Sequence, residues 1–391
     1  MKKILVYSHD TYGLGNLRRM LAICQSLSRS IPDLSILLLS GSPMVQSFRL
    51  AEGVDYIKLP CLTRVEREGY AVKFLPLDIA DGIKLRSDLI LTAASNFQPD
   101  LFLVDKKPFG IKNELKATLE HLKQASPDLK VALILCDILD APESTINVWQ
   151  SHDYFQVIDE FYDLVLSLGS PEIFDPCREY QFPASVAAKV KFCGYLRRDL
   201  GNKSRAEVRQ ELKLRDAEKL VLVTVGGGED AYEIVATYLH GVAQLPANHN
   251  LHSLIVTGPE MKATQRQALS QNLPPNVTII EFTNDLMSYL SAADAVVSMG
   301  GYNTVSEILS LQKKAIVIPR VRPVQEQLIR AERMSQRGFF QYIHPDELTA
   351  ENLMQKLQAE LNREDLNPFP PVNLNAHQEI AQWVSTLLFR E

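Results

Sequence analysis

Three glycine-rich stretches in this sequence each follow an apolar run that is typical of a β-strand. They are Gly13-Leu14-Gly15, Gly226-Gly227-Gly228 and Gly300-Gly301. Glycine permits positive φ angles and a close backbone approach, and a helix that begins after such a loop offers free N–H groups to an anion. Each stretch is therefore a candidate phosphate cradle, and the two in the second half of the chain indicate phosphate binding most strongly.

The familiar nucleotide-binding motifs do not fit these loops. The dinucleotide fingerprint requires an acidic residue at the end of the second strand, where this chain has Ser40-Gly41-Ser42, and Arg18 occupies the place of its third glycine. No glycine is followed by Lys-Ser or Lys-Thr in the frame of a P-loop. The sequence thus argues against both a Rossmann dehydrogenase and a P-loop ATPase.

A carboxylate follows the Gly300-Gly301 pair at a chemically useful distance. The next helix is predicted to open at Asn303 or Thr304, which places Glu307 one turn in. A carboxylate there can accept hydrogen bonds from two ribose hydroxyls, or it can simply complement the helix dipole. The residues alone leave both interpretations open.

Other titratable residues stand where predicted strands of the first half end. His9 and Asp10 follow the first strand, and Asp105 and Asp137 end two later ones. In doubly wound sheets, ligands gather at the carboxyl ends of the strands, so these groups are candidates for acid–base chemistry. A strand-end aspartate also commonly anchors a loop or caps a helix, and this alternative stays open.

Strands and helices alternate twice along the chain, which predicts an α/β protein with doubly wound parallel sheets. The predicted strands lie at 4–8, 34–41, 100–105, 130–137, 163–169 and 190–195, then at 220–225, 253–258, 277–282, 294–299 and 314–319. The stretch 63–97 has a less clear pattern that is partly helical, and it is a candidate for a substrate-specific loop. Ser204 and Glu207 have the spacing of a capping box. The predicted domains are 1–199 and 200–373, and a proline-broken linker precedes a last helix within 374–391.

Composition excludes several classes of protein. The 391 residues carry a formal net charge of −6, which argues against a nucleic-acid-binding surface. The five cysteines form no C-x-x-C pair, as expected of free thiols in a reducing compartment, so we expect a cytoplasmic protein. No apolar run approaches the ~18 residues of a membrane helix, and the first apolar run suits a strand better than a signal peptide. Peripheral membrane contact stays open.

The stretches "VGGGED", "EFTNDLMSYLSAAD" and 298–334 resemble the C-terminal domain of GT-B glycosyltransferases of the peptidoglycan type. The opening loop is similar to that of bacterial predicted glycosyltransferases that begin with a "GxGHxxR" loop. The resemblance implies two Rossmann-like domains that face each other across a cleft. It assigns the acceptor to the N-terminal domain and the nucleotide sugar to the C-terminal one, and it implies that the last helix crosses back onto the N-terminal domain.

The resemblance also implies roles for individual residues. Glu307 would hold the ribose of a uridine diphosphate, Phe282 and Leu286 would flank the base, and Glu326 and Gln327 would face the sugar hydroxyls. The pyrophosphate would be surrounded by Gly226, Gly227, Gly228, Gly300, Gly301 and Thr304. The acceptor side would include Gly13, Gly15, Asp105 and Asp137.

The catalytic base is the point at which this chain departs from the family. The family usually has a histidine where this chain has Asn16, and an amide takes no proton near neutral pH. The base must then be another group, and we favour Asp10 over His9. Asn16 can still hydrogen-bond a phosphate or a hydroxyl.

The expected function is that of a glycosyltransferase that moves a hexose or N-acetylhexosamine from a nucleotide diphosphate sugar, with uridine favoured, to an unidentified acceptor. A lipid-linked acceptor stays open. No D-x-D pair is present, so we expect no metal and no cofactor, with arginines such as Arg320, Arg322 and Arg330 neutralising the diphosphate. Two alternatives remain: a sugar-nucleotide 2-epimerase of the same fold, and a nucleotide-sugar-binding protein with weakened catalysis.

Overall fold

The computed structural model describes residues 1–10, 15–65, 69–246, 249–364 and 369–389. The chain divides into two units, one of Met1–Leu196 with Asn373–Glu391 and the other of Arg197–Val372. The predicted boundaries at 199/200 and 373/374 lie within three residues of these.

The first unit alternates strands with helices, as the apolar runs of its sequence predict. Its elements up to Leu196 are β1 (Lys2–Tyr7), α1 (Gly15–Ser30), β2 (Leu34–Ser40), β3 (Val54–Lys58), β4 (Leu62–Val65), β5 (Gly69–Val72), α2 (Ile79–Phe97), β6 (Leu101–Asp105), α3 (Lys116–Ala125), β7 (Lys130–Cys136), α4 (Pro142–Ser151), α5 (Tyr154–Phe161), β8 (Leu164–Leu168), α6 (Pro176–Glu179), α7 (Ala184–Lys189) and β9 (Val190–Phe192). Short 3₁₀ turns lie at Val45–Ser47 and Ile111–Asn113.

The main sheet of this unit is parallel, with the strand order β3-β2-β1-β6-β7-β8-β9. Strands β6 and β8 are buried along their whole length, as continuous apolar runs in a sheet covered on both faces must be. Strands β4 and β5 form a separate antiparallel hairpin.

The second unit repeats this architecture. Its elements are α8 (Arg205–Glu211), β10 (Lys219–Thr224), α9 (Tyr232–Ala243), β11 (Leu251–Val256), α10 (Ala263–Leu269), β12 (Val277–Ile280), α11 (Leu286–Ala292), β13 (Ala295–Ser298), α12 (Tyr302–Leu311), β14 (Ala315–Val317), α13 (Glu326–Gln336), β15 (Gln341–Tyr342) and α14 (Ala350–Asn362), with a 3₁₀ turn at Pro345–Glu347. The parallel sheet has the order β12-β11-β10-β13-β14-β15. Val221, Val223 and Val297 lie in its core.

The last helix, α15 (Ala376–Phe389), belongs to the first unit and packs against α1. The backbone N–H of Tyr195 donates to the carbonyl of Asn373 at 2.8 Å, and Leu196 forms a bridge with Asn375. The chain therefore leaves and re-enters the first unit at neighbouring positions. No described helix is both long and apolar enough to cross a lipid bilayer.

Each sheet has one point at which the strand order reverses direction. In the first unit this point lies between β1 and β6, and in the second it lies between β10 and β13. Ligands of doubly wound sheets bind outside the carboxyl ends of the strands at such a point. His9, Asp10 and Asp105 stand there in the first unit, and the glycine loops after β10 and β13 stand there in the second.

The structure corrects several details of the sequence-based assignment. The stretch 63–97 contains the β4–β5 hairpin and α2, whose start is capped by the Asp78 side chain. Helix α12 begins at Tyr302 with Gly301 as its N-cap, one or two residues before the predicted start, and Leu286 is the first residue of α11. The capping box of Ser204 and Glu207 is present as predicted. Helix α10 and the two-residue strand β15 are too short to leave a periodic signal in the sequence.

Candidate functional site

The loop Gly226–Gly228 joins β10 to α9 in a conformation that requires glycine. Gly226 has a φ of +68° and Gly228 a φ of +95°, and a Cβ on Gly228 would clash with the carbonyl oxygen of Thr257. Gly226 is exposed, and nothing lies within 4 Å of the place where its Cβ would be. One side of this loop is thus packed against the neighbouring loop, and the other is open to a ligand.

The second glycine pair stands at the start of α12. Gly301 is the N-cap in an extended conformation and offers no side-chain cap, so the backbone and the positive end of the helix dipole are what an anion would meet at this helix start. The Arg330 guanidinium holds the loop by donating from Nη1 to the carbonyl of Gly300 at 2.7 Å. Thr304 lies in this first turn and is largely buried.

Glu307 lies in the second turn of α12 and is fully buried. Because α12 begins at Tyr302, Glu307 is its sixth residue, beyond the first turn in which a carboxylate gains most from the helix dipole. The position of Glu307 therefore argues against the interpretation that it serves only to complement the helix dipole. Its role toward a ribose stays a prediction.

Arg320 links the loop after β14 to two carboxylates. Its Nη1 lies 3.5 Å from Oδ2 of Asp230, beside the first glycine loop, and its Nη2 lies 3.4 Å from Oε1 of Glu326. Its backbone N–H donates to Oε1 of Gln327 at 3.1 Å. The structure thus brings Glu326 and Gln327, at the start of α13, into one network with Asp230, which follows the first glycine loop.

Phe282 and Leu286 differ in exposure. The Phe282 side chain follows β12 and is 46% exposed, which is high for an aromatic residue. Leu286 begins α11 and is partly buried. An exposed ring can stack on a base, but β12 is the edge strand, two strands along from β10 at the switch point, and the base-flanking role stays a prediction for both residues.

In the first unit, Asp10 is fully buried directly after β1. Its Oδ2 accepts a hydrogen bond of 2.6 Å from Ser40 Oγ, whereas its Oδ1 has no hydrogen-bond partner within the described residues. Burial raises the pKa of this carboxyl to about 6, close to the range in which a general base works at neutral pH.

His9 precedes Asp10 and is almost fully buried, and neither ring nitrogen has a hydrogen-bond partner in the described part of the chain. Burial, reinforced by the positive charges of Lys106 and Lys107, holds the pKa of His9 well below its usual value. The imidazole is therefore neutral at pH 7.

Asn16 is held in a network that the sequence did not reveal. Its Nδ2 donates to the carbonyl of His9 at 2.5 Å, and its Oδ1 accepts from Arg19 Nη2 at 3.1 Å. The same Arg19 nitrogen pairs with Asp105 Oδ1 at 2.7 Å, and Asp105 Oδ2 accepts from the His9 backbone N–H. Asn16 and Asp105 thus fix the end of β1. Arg19 is missing from the sequence-based set although it stands at the arginine position of the "GxGHxxR" pattern, which could have drawn attention to it. Its pairing with Asp105 is a tertiary contact.

The remaining predicted acceptor residues are dispersed. Asp137, after β7, is fully buried, and its carboxylate accepts from the Ile138 N–H at 2.9 Å and from the Tyr195 hydroxyl at 3.3 Å. Strand β7 adjoins β6 but not β1. Gly15 is the exposed first residue of α1, and Gly13 lies outside the described residues.

Among the described residues, no group of three or more histidine, cysteine, aspartate or glutamate side chains is arranged to hold a metal ion. The cysteines are free thiols. The expected independence of metals stays a prediction.

Comparison with known proteins finds a family match that covers most of the second unit and part of the last helix. Residues 220–384 match the model of the glycosyltransferase family 28 C-terminal domain. One relative, from Fusobacterium nucleatum, is a UDP-N-acetylglucosamine–N-acetylmuramyl-(pentapeptide) pyrophosphoryl-undecaprenol N-acetylglucosamine transferase. It is 26% identical over 232 residues, which cover 54% of this chain and 62% of the relative's length. An uncharacterized glycosyltransferase of Methanopyrus kandleri is 23% identical over 233 residues, covering 59% and 62%. The chain thus spans about three fifths of the length of these relatives.

Solved structures show the same fold along nearly the whole chain. MurG of Acinetobacter baumannii superposes with a TM-score of 0.60 at 16% identity, covering 99% of both chains. A putative UDP-N-acetylglucosamine 2-epimerase of Listeria monocytogenes gives 0.66 at 12% identity, covering 99% of this chain and 96% of its own. The chain therefore has the GT-B fold, resembles the MurG-like glycosyltransferases, and matches the glycosyltransferase family 28 C-terminal domain over residues 220–384.

Proposed function

We propose that this protein is a metal-independent glycosyltransferase that moves a hexose or N-acetylhexosamine from a UDP-linked sugar to an acceptor. The observation that carries the proposal is the pair of glycine loops at the switch point between β10 and β13. One loop presents open backbone, and the other leads into the N-terminus of α12, whose N-cap, Gly301, has no side chain. Such a pair suits a diphosphate, and the match to a glycosyltransferase domain over this region agrees with it.

In the proposed donor complex, the diphosphate lies between Gly226–Gly228 and the first turn of α12. The buried Glu307 accepts hydrogen bonds from the ribose hydroxyls, which replace contacts that it makes within the protein. Phe282 and Leu286 flank the base, and Glu326 and Gln327 bind the sugar hydroxyls. Charge that develops on the leaving diphosphate is stabilised by preorganised N–H groups and Arg320, which is work that a metal ion does in other transferases.

For the acceptor side, we propose Asp10 as the general base. The acceptor hydroxyl gives its proton to the Asp10 carboxylate, its oxygen bonds to the anomeric carbon, and the bond from that carbon to the diphosphate oxygen breaks, which releases UDP. Asn16, Arg19 and Asp105 are positioning residues that hold the end of β1. The neutral His9 is the second candidate, and its depressed pKa makes it a weaker base than an ordinary histidine.

The acceptor is proposed by analogy with the curated relatives. The Fusobacterium nucleatum relative is named for transfer to a pyrophosphoryl-undecaprenol, which is a lipid-linked molecule. We propose an acceptor of this class, and with it peripheral contact with the cytoplasmic face of a membrane.

The donor assignment can be tested with a thermal-shift panel of nucleotide diphosphates and nucleotide sugars. A ligand at one hundred times its Kd stabilises the native state by about 2.7 kcal/mol, which raises Tm measurably. We expect UDP and UDP-sugars to raise Tm more than their guanosine, adenosine and thymidine counterparts. If no nucleotide raises Tm, the proposed donor site is wrong.

A further inference from the structure

A carboxylate lies directly against the loop that we assign to the diphosphate. The Glu260 backbone N–H donates to the carbonyl of Gly227 at 2.8 Å, which fixes the loop after β11 against the loop after β10. A Cβ added to Gly227 would stand 2.6 Å from Oε2 of Glu260 and 2.8 Å from its carboxyl carbon. Only the absence of a side chain on Gly227 lets the carboxyl group approach the backbone so closely.

The surroundings of Glu260 are acidic. Its charged neighbours are Glu229 and Asp230, from the segment that leads into α9, and Arg320, from the loop after β14. Arg320 is also shared with Asp230 and Glu326, so one guanidinium serves several carboxylates. Within the described residues, the Glu260 carboxylate has neither a hydrogen bond nor an ion pair of its own.

A diphosphate bound at this loop would add negative charge beside Glu260. Burial, together with Glu229 and Asp230, already raises the pKa of Glu260 above its usual value, with Arg320 opposing them. A like charge within a few ångströms disfavours the ionised form of a carboxyl group, so the bound diphosphate shifts Glu260 further toward its neutral form. The neutral carboxyl can donate a hydrogen bond to a phosphate oxygen, which the carboxylate cannot do.

We propose that Glu260 binds a proton when the diphosphate of the donor docks on Gly226–Gly228, so that the donor and the proton bind together. This inference rests on the donor site proposed above. The sign follows from linkage: a complex that takes up a proton weakens as pH rises. After transfer, the same coupling favours release of the diphosphate when Glu260 loses its proton.

The test is calorimetric titration with UDP-N-acetylglucosamine, whose diphosphate is esterified at both ends and does not itself titrate near neutral pH. Measurement at pH 6.5 in two buffers with different ionisation enthalpies gives the number of protons taken up on binding. We expect the natural protein to take up a substantial fraction of one proton and Glu260→Gln to take up almost none. At pH 8 we expect Glu260→Gln to bind about tenfold more tightly, the equivalent of one pKa unit of coupling.

Glu351→Gln, at an exposed position on α14, is the matched control and should take up as many protons as the natural protein. No proton uptake by the natural protein, or equal uptake by Glu260→Gln, overturns the inference while leaving the donor site intact. If the natural protein does not bind the nucleotide sugar at all, the proposed function fails and the inference fails with it. Proton uptake by the natural protein is measured without any variant, so the inference can be overturned even if Glu260→Gln folds poorly.

Discussion

At the scale of single residues, Glu307 is the side chain on which donor binding most depends. It is buried in α12, behind the N–H groups assigned to the diphosphate. Glu307→Ala should weaken UDP binding by roughly 1.5–3 kcal/mol, the usual worth of hydrogen bonds to a charged group. Calorimetry on a variant that is folded by circular dichroism checks this, and unchanged affinity would remove Glu307 from the site.

Replacement of Asp10 by asparagine should lower activity but raise the stability of the fold at pH 7. Asp10→Asn should lower turnover by about 10²–10⁴-fold, the usual contribution of a general base, while UDP binding persists. Because burial raises the pKa of Asp10 from 3.8 to about 6, the native state binds the proton more tightly than the unfolded chain does, and stability falls as pH rises from about 4 to 6. Replacement of the buried carboxylate should therefore stabilise the protein at pH 7, by up to roughly 3 kcal/mol.

Urea unfolding at pH 4 and pH 7 separates the effect of the buried charge from ordinary packing. The gain in the free energy of unfolding of Asp10→Asn should be largest at pH 7 and nearly absent at pH 4. Near-normal turnover by Asp10→Asn would show that another group is the base, and His9→Ala would then be the next variant to assay.

The pH profile of the natural enzyme gives an independent measure of the same group. A base must be deprotonated to act, so kcat/KM for the acceptor, measured at saturating donor, should rise with pH through about 6 and then level off. An Asp10→Asn protein with residual activity should lose this step. A profile that is flat between pH 5 and 7 in the natural enzyme would argue against Asp10.

Sequence reasoning succeeded at this scale where a residue type is tied to local geometry. The glycine loops and strand-end acids could be located because their neighbours in the chain define them. Glu260 could not be located, because Gly227 approaches it only through tertiary packing. Arg19 stands at the arginine of the "GxGHxxR" pattern, but its pairing with Asp105 could not be predicted. The hydrogen bonds of the Asn16 side chain to His9 and Arg19 could not be predicted from the sequence either. They account for an amide at this position without a catalytic role.

At the scale of elements, two glycines in the proposed donor site make a matched pair. Gly228 has a φ of +95° and lies against Thr257, so Gly228→Ala should destabilise the protein by more than ~1 kcal/mol. Gly301 has a φ of −65°, and nothing lies within 4 Å of its Cβ direction, so Gly301→Ala introduces no clash and should cost only the N-cap preference for glycine over alanine, about 1 kcal/mol or less.

Gly301→Ala should nevertheless weaken UDP binding, because the new methyl group would enter the space assigned to phosphate. Thermal unfolding with and without UDP measures both effects. If Gly301→Ala binds UDP as tightly as the natural protein, the start of α12 does not hold the diphosphate.

The alternation of strands and helices was the most predictable feature of the chain, because fully buried parallel strands are continuous apolar runs such as Leu164–Leu168. Boundaries were less certain, and the start of α12 shows why. Gly301 caps the helix through its backbone conformation alone, so the cap preferences of Asn303 and Thr304 suggested a start one or two residues late. The β4–β5 hairpin is short and partly exposed, and it leaves little periodic pattern.

At the scale of the whole molecule, the absence of any need for a metal ion is open to direct test. If the N-terminus of α12 and Arg320 stabilise the leaving diphosphate, transfer should continue after exhaustive chelation, with the rate changed less than about twofold. Activity that requires added Mg²⁺ or Mn²⁺ would show that the diphosphate is neutralised in another way.

The central claim is transfer of a sugar to an acceptor, and mass analysis of the products tests it most directly. The protein is incubated with isotopically labelled UDP-N-acetylglucosamine or UDP-glucose and lipid or small-molecule extracts, and both the sugar and the nucleotide are followed. We predict labelled sugar bound covalently to an acceptor, with one UDP released for each sugar transferred. Labelled sugar that changes configuration without transfer to an acceptor would identify an epimerase, and a nucleotide sugar that binds but stays intact with every extract would contradict catalysis altogether.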